Sequence, residues 1–165
     1  MILRAVTLAA GLAGAFGAAQ FPAYSQQYLQ RLGGAVDALS QVVADFDASA
    51  AAEGLSRAEA LEELRGTAFV ERRRADMIRT FERHARLQSD LAVLQGQGPF
   101  MRAYHALRLT DRELAGRAWQ AFEPALPMTF AAALFAAVGF VAGSLSCAAF
   151  LAALRWPLRR RTMAA

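Results

Sequence analysis

Lysine is absent from the 165 residues, and all 18 basic side chains are arginine. Such complete use of arginine reads as coding bias, since few sites need the bidentate geometry that separates the two residues. Cysteine is nearly absent. The single Cys147 excludes an intramolecular disulfide and a cysteine-pair metal site, and it says nothing about the redox compartment. Histidine occurs only as His84 and His105, with neither a His-x-x-x-His nor a Glu-x-x-His spacing to assemble a metal site. Both read as packing or surface residues, and His84, on the stripe of the longest helix, is the better candidate if either acts. A nucleophile elbow, a phosphate-cradling glycine loop and a paired catalytic constellation are all missing. These absences remove the footing for an enzyme and predict no catalytic residue, no metal and no cofactor.

A different absence organises the chain. From Met128 to Leu154 there is no charged residue, and the only polar side chains are hydroxyls and one thiol. About 20 apolar residues of helix cross roughly 30 Å of hydrocarbon, so this stretch spans a bilayer with room for tilt. It runs into Arg155-Trp156-Pro157-Leu158-Arg159-Arg160-Arg161, an interfacial aromatic and a basic cluster of the kind found where a helix leaves the membrane on the cytoplasmic side. With no charge at mid-membrane, an ion or proton path through this chain alone has no support.

The net charge of +4 does not mark a nucleic-acid surface. Between Arg31 and Glu123, 13 arginines face all 14 acidic residues, a balance of −1. The excess comes from Arg4 and the four arginines after Leu154, beside the apolar segments, so nucleic acid is excluded as a partner.

The first apolar run, Ala5–Ala19 behind Arg4, has two readings. Arg4, Val6–Phe16 and Gly17-Ala18-Ala19 fit a signal peptide. The favoured reading is an uncleaved membrane helix from Ile2 to about Phe21. Ala10, Gly14 and Ala18, with Gly11 and Ala15 beside them, then form a small-residue face for close helix packing. Gly139 and Gly143 give the later segment a matching G-x-x-x-G strip. Arginines at the outer ends of both segments put both termini in the cytoplasm and the region between them across the membrane.

That region reads as helices throughout. Pro22 suits a first turn, and Tyr28, Leu32, Val36, Leu39, Val43 and Phe46 recur at steps of three and four, with Gly33-Gly34 a weak point. Asp47–Leu55 is expected to be a loop of small residues ending in Gly54. Ser56-Arg57-Ala58-Glu59 is a capping box opening a helix to Arg65. A long helix from Ala68 to Leu94 carries the stripe Val70, Met77, Phe81, His84, Leu87, Leu91 and Leu94, and stops at Gly96-Gln97-Gly98-Pro99. Phe100–Leu109 is expected as a further helix. Thr110-Asp111-Arg112-Glu113 reads as a second capping box, with its helix ending near Phe122, and Glu123–Pro127 joins it to the membrane segment. No run alternates like a strand.

The charge-rich face of the long helix, with Arg72, Arg73, Arg79 and Arg83, has helical pair spacings that suit a solvated surface of weak ion pairs. Its sharper reading is a strip for an acidic partner or lipid headgroups. Tyr24 and Tyr28, one turn apart just after the first segment, are expected at headgroup level as anchors.

The pattern Gln20-Phe21-Pro22-x-x-Ser25-Gln26-Gln27-Tyr28-x-Gln30-Arg31-Leu32-x-Gly34, and the plan of apolar start, helical middle and C-terminal membrane helix after Pro124 and Pro127, resemble a family of proteobacterial membrane proteins catalogued as domain of unknown function 2937. The resemblance implies a membrane protein with no established activity and no catalytic residues to carry over. It favours an uncleaved first segment.

The fold expected is all-α, two transmembrane helices bracketing an extracytoplasmic, coiled-coil-like helical domain. Residues 1–21 form the first membrane helix, 22–124 a periplasmic domain, 125–155 the second membrane helix and 156–165 a basic cytoplasmic tail of a bacterial inner-membrane protein. The function expected is that of a non-catalytic accessory or assembly subunit of a larger membrane complex. Its contacts would be with lipid and with another membrane protein or a second copy, through Gly11, Gly14, Gly139 and Gly143 in the membrane and the four arginines outside it. The alternative is a membrane-anchored periplasmic sensing or lipid-binding module.

Overall fold

Pro22 decides where the first helix ends. Having no N–H, it cannot bond the carbonyl four residues back, and its ring crowds that turn. Helix α1 (Ile2–Ala19) accordingly stops one residue before Gln20, and α2 (Phe21–Ala52) begins with Pro22 in its first turn, where the missing donor costs nothing. A computed structural model describes residues 2–124 and 128–162, with side chains as far as Leu154 in the last helix. It is 85% helical, and no strand occurs among the described residues. The remaining elements are α3 (Arg57–Glu63), α4 (Ala68–Leu94), α5 (Pro99–Tyr104), a 3-10 turn (Ala106–Arg108), α6 (Arg112–Gln120) and α7 (Phe130–Thr162). The all-α expectation holds. Residues 125–127 of the expected joint, and the side chains of Trp156 and the basic cluster, lie outside the described residues.

Several local expectations change. Asp47–Leu55 is not a loop. Ala48–Ala52 continue α2, because alanine is the strongest helix former, and the helix stops only as Gly54 takes the left-handed conformation (φ 71°) that side chains resist. Gly33-Gly34 does not interrupt α2 either. The expected Phe100–Leu109 helix is α5 followed by the 3-10 turn. At α6 the cap is Asp111, whose carboxylate accepts from the Leu114 N–H at 3.0 Å; the Thr110 hydroxyl turns instead towards Asp90. The box at Ser56 forms as read: Glu59 N–H donates to the Ser56 hydroxyl at 3.3 Å, and Ser56 N–H to the Glu59 carboxylate at 2.7 Å. Thr67 caps α4.

The chain divides into two units. One comprises the first 26 residues and the chain from Phe122 on. In it α1 and α7 lie side by side and antiparallel, Ala18 meeting Gly139 while Ala10 meets Gly143. The rings of Phe21 and Phe135, 5.4 Å apart, continue that register past the break at Gln20. The helical run from Ile2 and the stretch Phe130–Leu154 are each long and apolar enough to cross a membrane. Only 6% of either apolar window is buried, unlike the core helices of a soluble protein.

The other unit spans Gln27–Ala121. There α2 and α4 run antiparallel, with Ser40 opposite His84 and the Phe46 ring 5.2 Å from that of Phe81. Tyr28, Leu32, Val36, Val43, Leu87 and Leu94 form the core, and Leu114 and Ala118 bring the apolar face of α6 into it. Tyr28 is thus no headgroup anchor: it is fully buried, and its hydroxyl accepts from the Asp111 N–H at 3.3 Å. Arg57 ties the α2–α3 turn together. Its guanidinium grips Asp47 with two bonds of 2.7 and 2.5 Å and lies over the Phe81 ring, 4.9 Å from the centroid.

Candidate interaction surfaces

In the first unit the small residues face each other. A Cβ placed on Gly14 would strike the carbonyl oxygen of Gly139, and one on Gly139 would strike that of Gly14 and the Ala18 methyl. A Cβ on Gly143 would stand 2.6 Å from the Ala10 carbonyl oxygen. Backbone touches backbone along this seam, which only glycine and alanine permit. Gly11 sits at its edge, where a Cβ would meet the Ser144 hydroxyl and the Phe140 ring. Large side chains point the other way: Leu8, Leu12 and Phe16 on α1, and Leu134, Val138 and Leu145 on α7, are exposed. The structure therefore brings Gly11, Gly14, Gly139 and Gly143 together within one chain. Flanking the seam is an open groove of about 340 Å³ lined by Leu3, Arg4, Thr7 and Phe140.

In the second unit the four candidate arginines among the six of α4, Arg72, Arg73, Arg79 and Arg83, separate into different environments. Arg72 is exposed and has no ion pair among the described residues. Arg73 and Arg79 lie along the helix surface and share Asp76, Arg73 at 3.8 Å. Arg83 turns inward, bonding Glu113 at 2.8 Å and Asp111 at 3.3 Å, so that it joins α4 to the start of α6. Glu113 also takes Arg117 at 2.6 Å. A second buried carboxylate, Asp90, holds Arg108 at 3.3 Å and Thr110 at 3.5 Å. This polar junction escaped the sequence reading. Its one signal was Asp90 itself, three residues after Leu87 and four before Leu94, an acid within an apolar stripe.

Electrostatics set a few groups apart. The hydrogen bonds from Arg57 hold the Asp47 carboxyl below its usual range, and raise Arg57 in return. Bonds from the Ser56 side chain and backbone lower Glu59. Burial pushes the Arg102 guanidinium down. His84 faces the Ser40 hydroxyl at 2.9 Å, and the His105 ring stands edge-on to Tyr104 at 5.0 Å. Among the described residues no three His, Cys, Asp or Glu side chains gather as a metal site. A cleft of about 290 Å³ between α2 and α3, lined by Phe46, Ala50, Leu55 and Leu64, is at the lower limit of small-molecule sites.

A family model described as "Protein of unknown function (DUF2937)" matches residues 2–160. No curated protein matches the chain, and no solved structure does.

Proposed function

The chain belongs to the DUF2937 family, and from that premise we propose that it is a non-catalytic protein of the bacterial inner membrane, an accessory or assembly subunit of a larger membrane complex. In this reading α1 and the apolar part of α7 span the bilayer as a hairpin. Both termini are cytoplasmic, residues 22–124 form a periplasmic domain, and the basic stretch from residue 156 is a cytoplasmic tail.

The observation that carries it is the sorting of side chains by size in the first unit. Small residues meet at the seam and large apolar ones face outward. Water would drive the opposite arrangement, burying Leu and Phe and tolerating Ala outside. Lipid removes that drive, and close backbone packing becomes what holds two helices together. An apolar surface of this extent on a soluble protein would aggregate.

The accessory role is supported by what is left over once the hairpin closes. The glycine faces are occupied within the chain, so a partner in the bilayer would meet the outer faces carrying Leu8, Leu12, Val138 and Leu145. Outside it, Arg72, Arg73 and Arg79 offer an arginine-rich strip on a rigid helix, suited to an acidic partner surface. The test is extraction from native membranes in a mild detergent, followed by mass spectrometry of whatever co-elutes with the intact chain. A stoichiometric membrane partner with Met1–Ala19 still attached is expected. Recovery in the soluble fraction, or elution alone from native membranes, would overturn the assignment.

A further inference from the structure

Between Pro99 and Arg108 the second unit is built inside out. On α5, Met101 and Tyr104 share one face and Arg102 the opposite one. Tyr104 is 79% exposed and Met101 45%, whereas Arg102 is only 7% exposed. The next apolar side chain, Leu107 in the 3-10 turn, is 89% exposed. Its neighbours explain how it is held there. Arg108 and Thr110 both reach the carboxylate of Asp90, a side chain only 3% exposed. The unit therefore buries an arginine and an aspartate in this region and presents a tyrosine, a methionine and a leucine outward. Three large apolar side chains turned outward on one short segment leave surface that water does not favour.

Charge marks the same segment. Pro99–Gln120 holds four arginines and two acids, whereas residues 27–98 hold nine arginines and eleven acids. The positive part of the unit is the part that displays Tyr104, Leu107 and, on α6, Trp119 at 69% exposure. Arg112, exposed, has no acidic partner among the described residues. Aromatic and aliphatic side chains beside a free arginine are the composition of an interfacial segment, with the apolar groups at the acyl boundary and the Arg112 guanidinium on phosphate. By sequence, Trp119 is nine residues from Met128, where the apolar run of α7 begins.

We propose that the α5–3-10 segment, with Met101, Tyr104 and Leu107 as its inserted residues, is a second, in-plane membrane contact that seats the Gln27–Ala121 unit on the anionic phospholipid headgroup layer. The proposal rests on the membrane-hairpin reading above. The seat gives the unit a fixed face towards lipid.

Fluorescence of single-tryptophan variants of the full chain in phosphatidylglycerol–phosphatidylethanolamine liposomes tests it. In a Trp119→Phe, Trp156→Phe background, Leu107→Trp and Tyr104→Trp are compared with Val138→Trp, which reports on α7. The readouts are quenching by lipids brominated in the upper acyl chain and by aqueous iodide. Loss of emission to bromolipid at all three positions, with protection from iodide, is expected. If Val138→Trp is quenched by bromolipid while Leu107→Trp and Tyr104→Trp respond only to iodide, the seat does not exist and the hairpin stands. Protection of the two positions from both quenchers would mean cover by protein, a second copy included, and would equally overturn it. If Val138→Trp itself escapes bromolipid, the hairpin reading fails and this proposal with it.

Discussion

Gly14→Ala and Gly139→Ala should each loosen the hairpin by about 1–3 kcal/mol, the range for overpacking a well-filled contact. The added methyl would come closer than 3 Å to a backbone carbonyl across the seam, whereas ordinary contact begins at 3.4 Å. A backbone atom cannot rotate away as a side chain can, so the helices must separate by about 1 Å, a gap at which dispersion contacts lose a quarter to a half of their strength. Gly11→Ala should cost less, because its methyl would meet the Ser144 hydroxyl and the Phe140 ring, which can turn aside. At Gly17 a Cβ meets nothing within 4 Å, so Gly17→Ala is the control and should be neutral or slightly stabilising. Equilibrium unfolding in mixed micelles, followed by circular dichroism, ranks the four. The double variant Gly14→Ala/Gly139→Ala should cost less than the sum of its parts, since one separation relieves both clashes. If Gly14→Ala and Gly139→Ala prove as harmless as Gly17→Ala, the seam is not where the helices meet.

Gly33→Ala and Gly34→Ala fall inside α2 with open space around both, and each should raise stability by about 0.5–1 kcal/mol in urea or thermal melts. Arg83→Met leaves the nearly buried Asp111 and the neighbouring Glu113 without their shared cation and should destabilise the chain by about 1–3 kcal/mol, read by urea denaturation. Asp47 has its pKa lowered by Arg57, so its contribution is present above the ordinary value of 3.8 and is lost as pH falls through the lower, folded value. Asp47→Asn should therefore melt below the parent at pH 7, with the difference closing as the pH falls below 3.8; a difference that persists in acid would contradict the ion pair's role.

The periodic stripes were legible because burial follows them: Tyr28, Leu32, Val36 and Val43 on α2, and Leu87 and Leu94 on α4, lie in the core. Caps were legible where side chain and backbone are close in sequence, as at Ser56 and Glu59. Thr110 was misjudged because its better partner, Asp90, is 20 residues away, and distance along the chain hides such competition. Tyr28 satisfied both an amphipathic stripe and a membrane-anchor pattern, and only its bond to Asp111 separates them. Arg83 looked like its neighbours Arg72 and Arg79 because they share one helix. What distinguishes it is the approach of α6, a tertiary fact. Ala48–Ala52 show the reverse failure, small residues read as loose when alanine in fact prolongs a helix.

The seam joins Gly14 to Gly139, residues 125 apart in the chain. At translation rates of about 5–20 residues per second, some 6–25 s separate the synthesis of its two sides. In the proposed membrane hairpin, α1 would throughout that interval turn its glycine face to lipid, or to any small-residue helix that passes. The Gln27–Ala121 unit, whose residues lie wholly between the two in the chain, is synthesised before the hairpin can close. Synthesis then runs in a fixed order of anchor, domain and clasp, and the vulnerable species is a one-helix intermediate whose correct partner has yet to leave the ribosome.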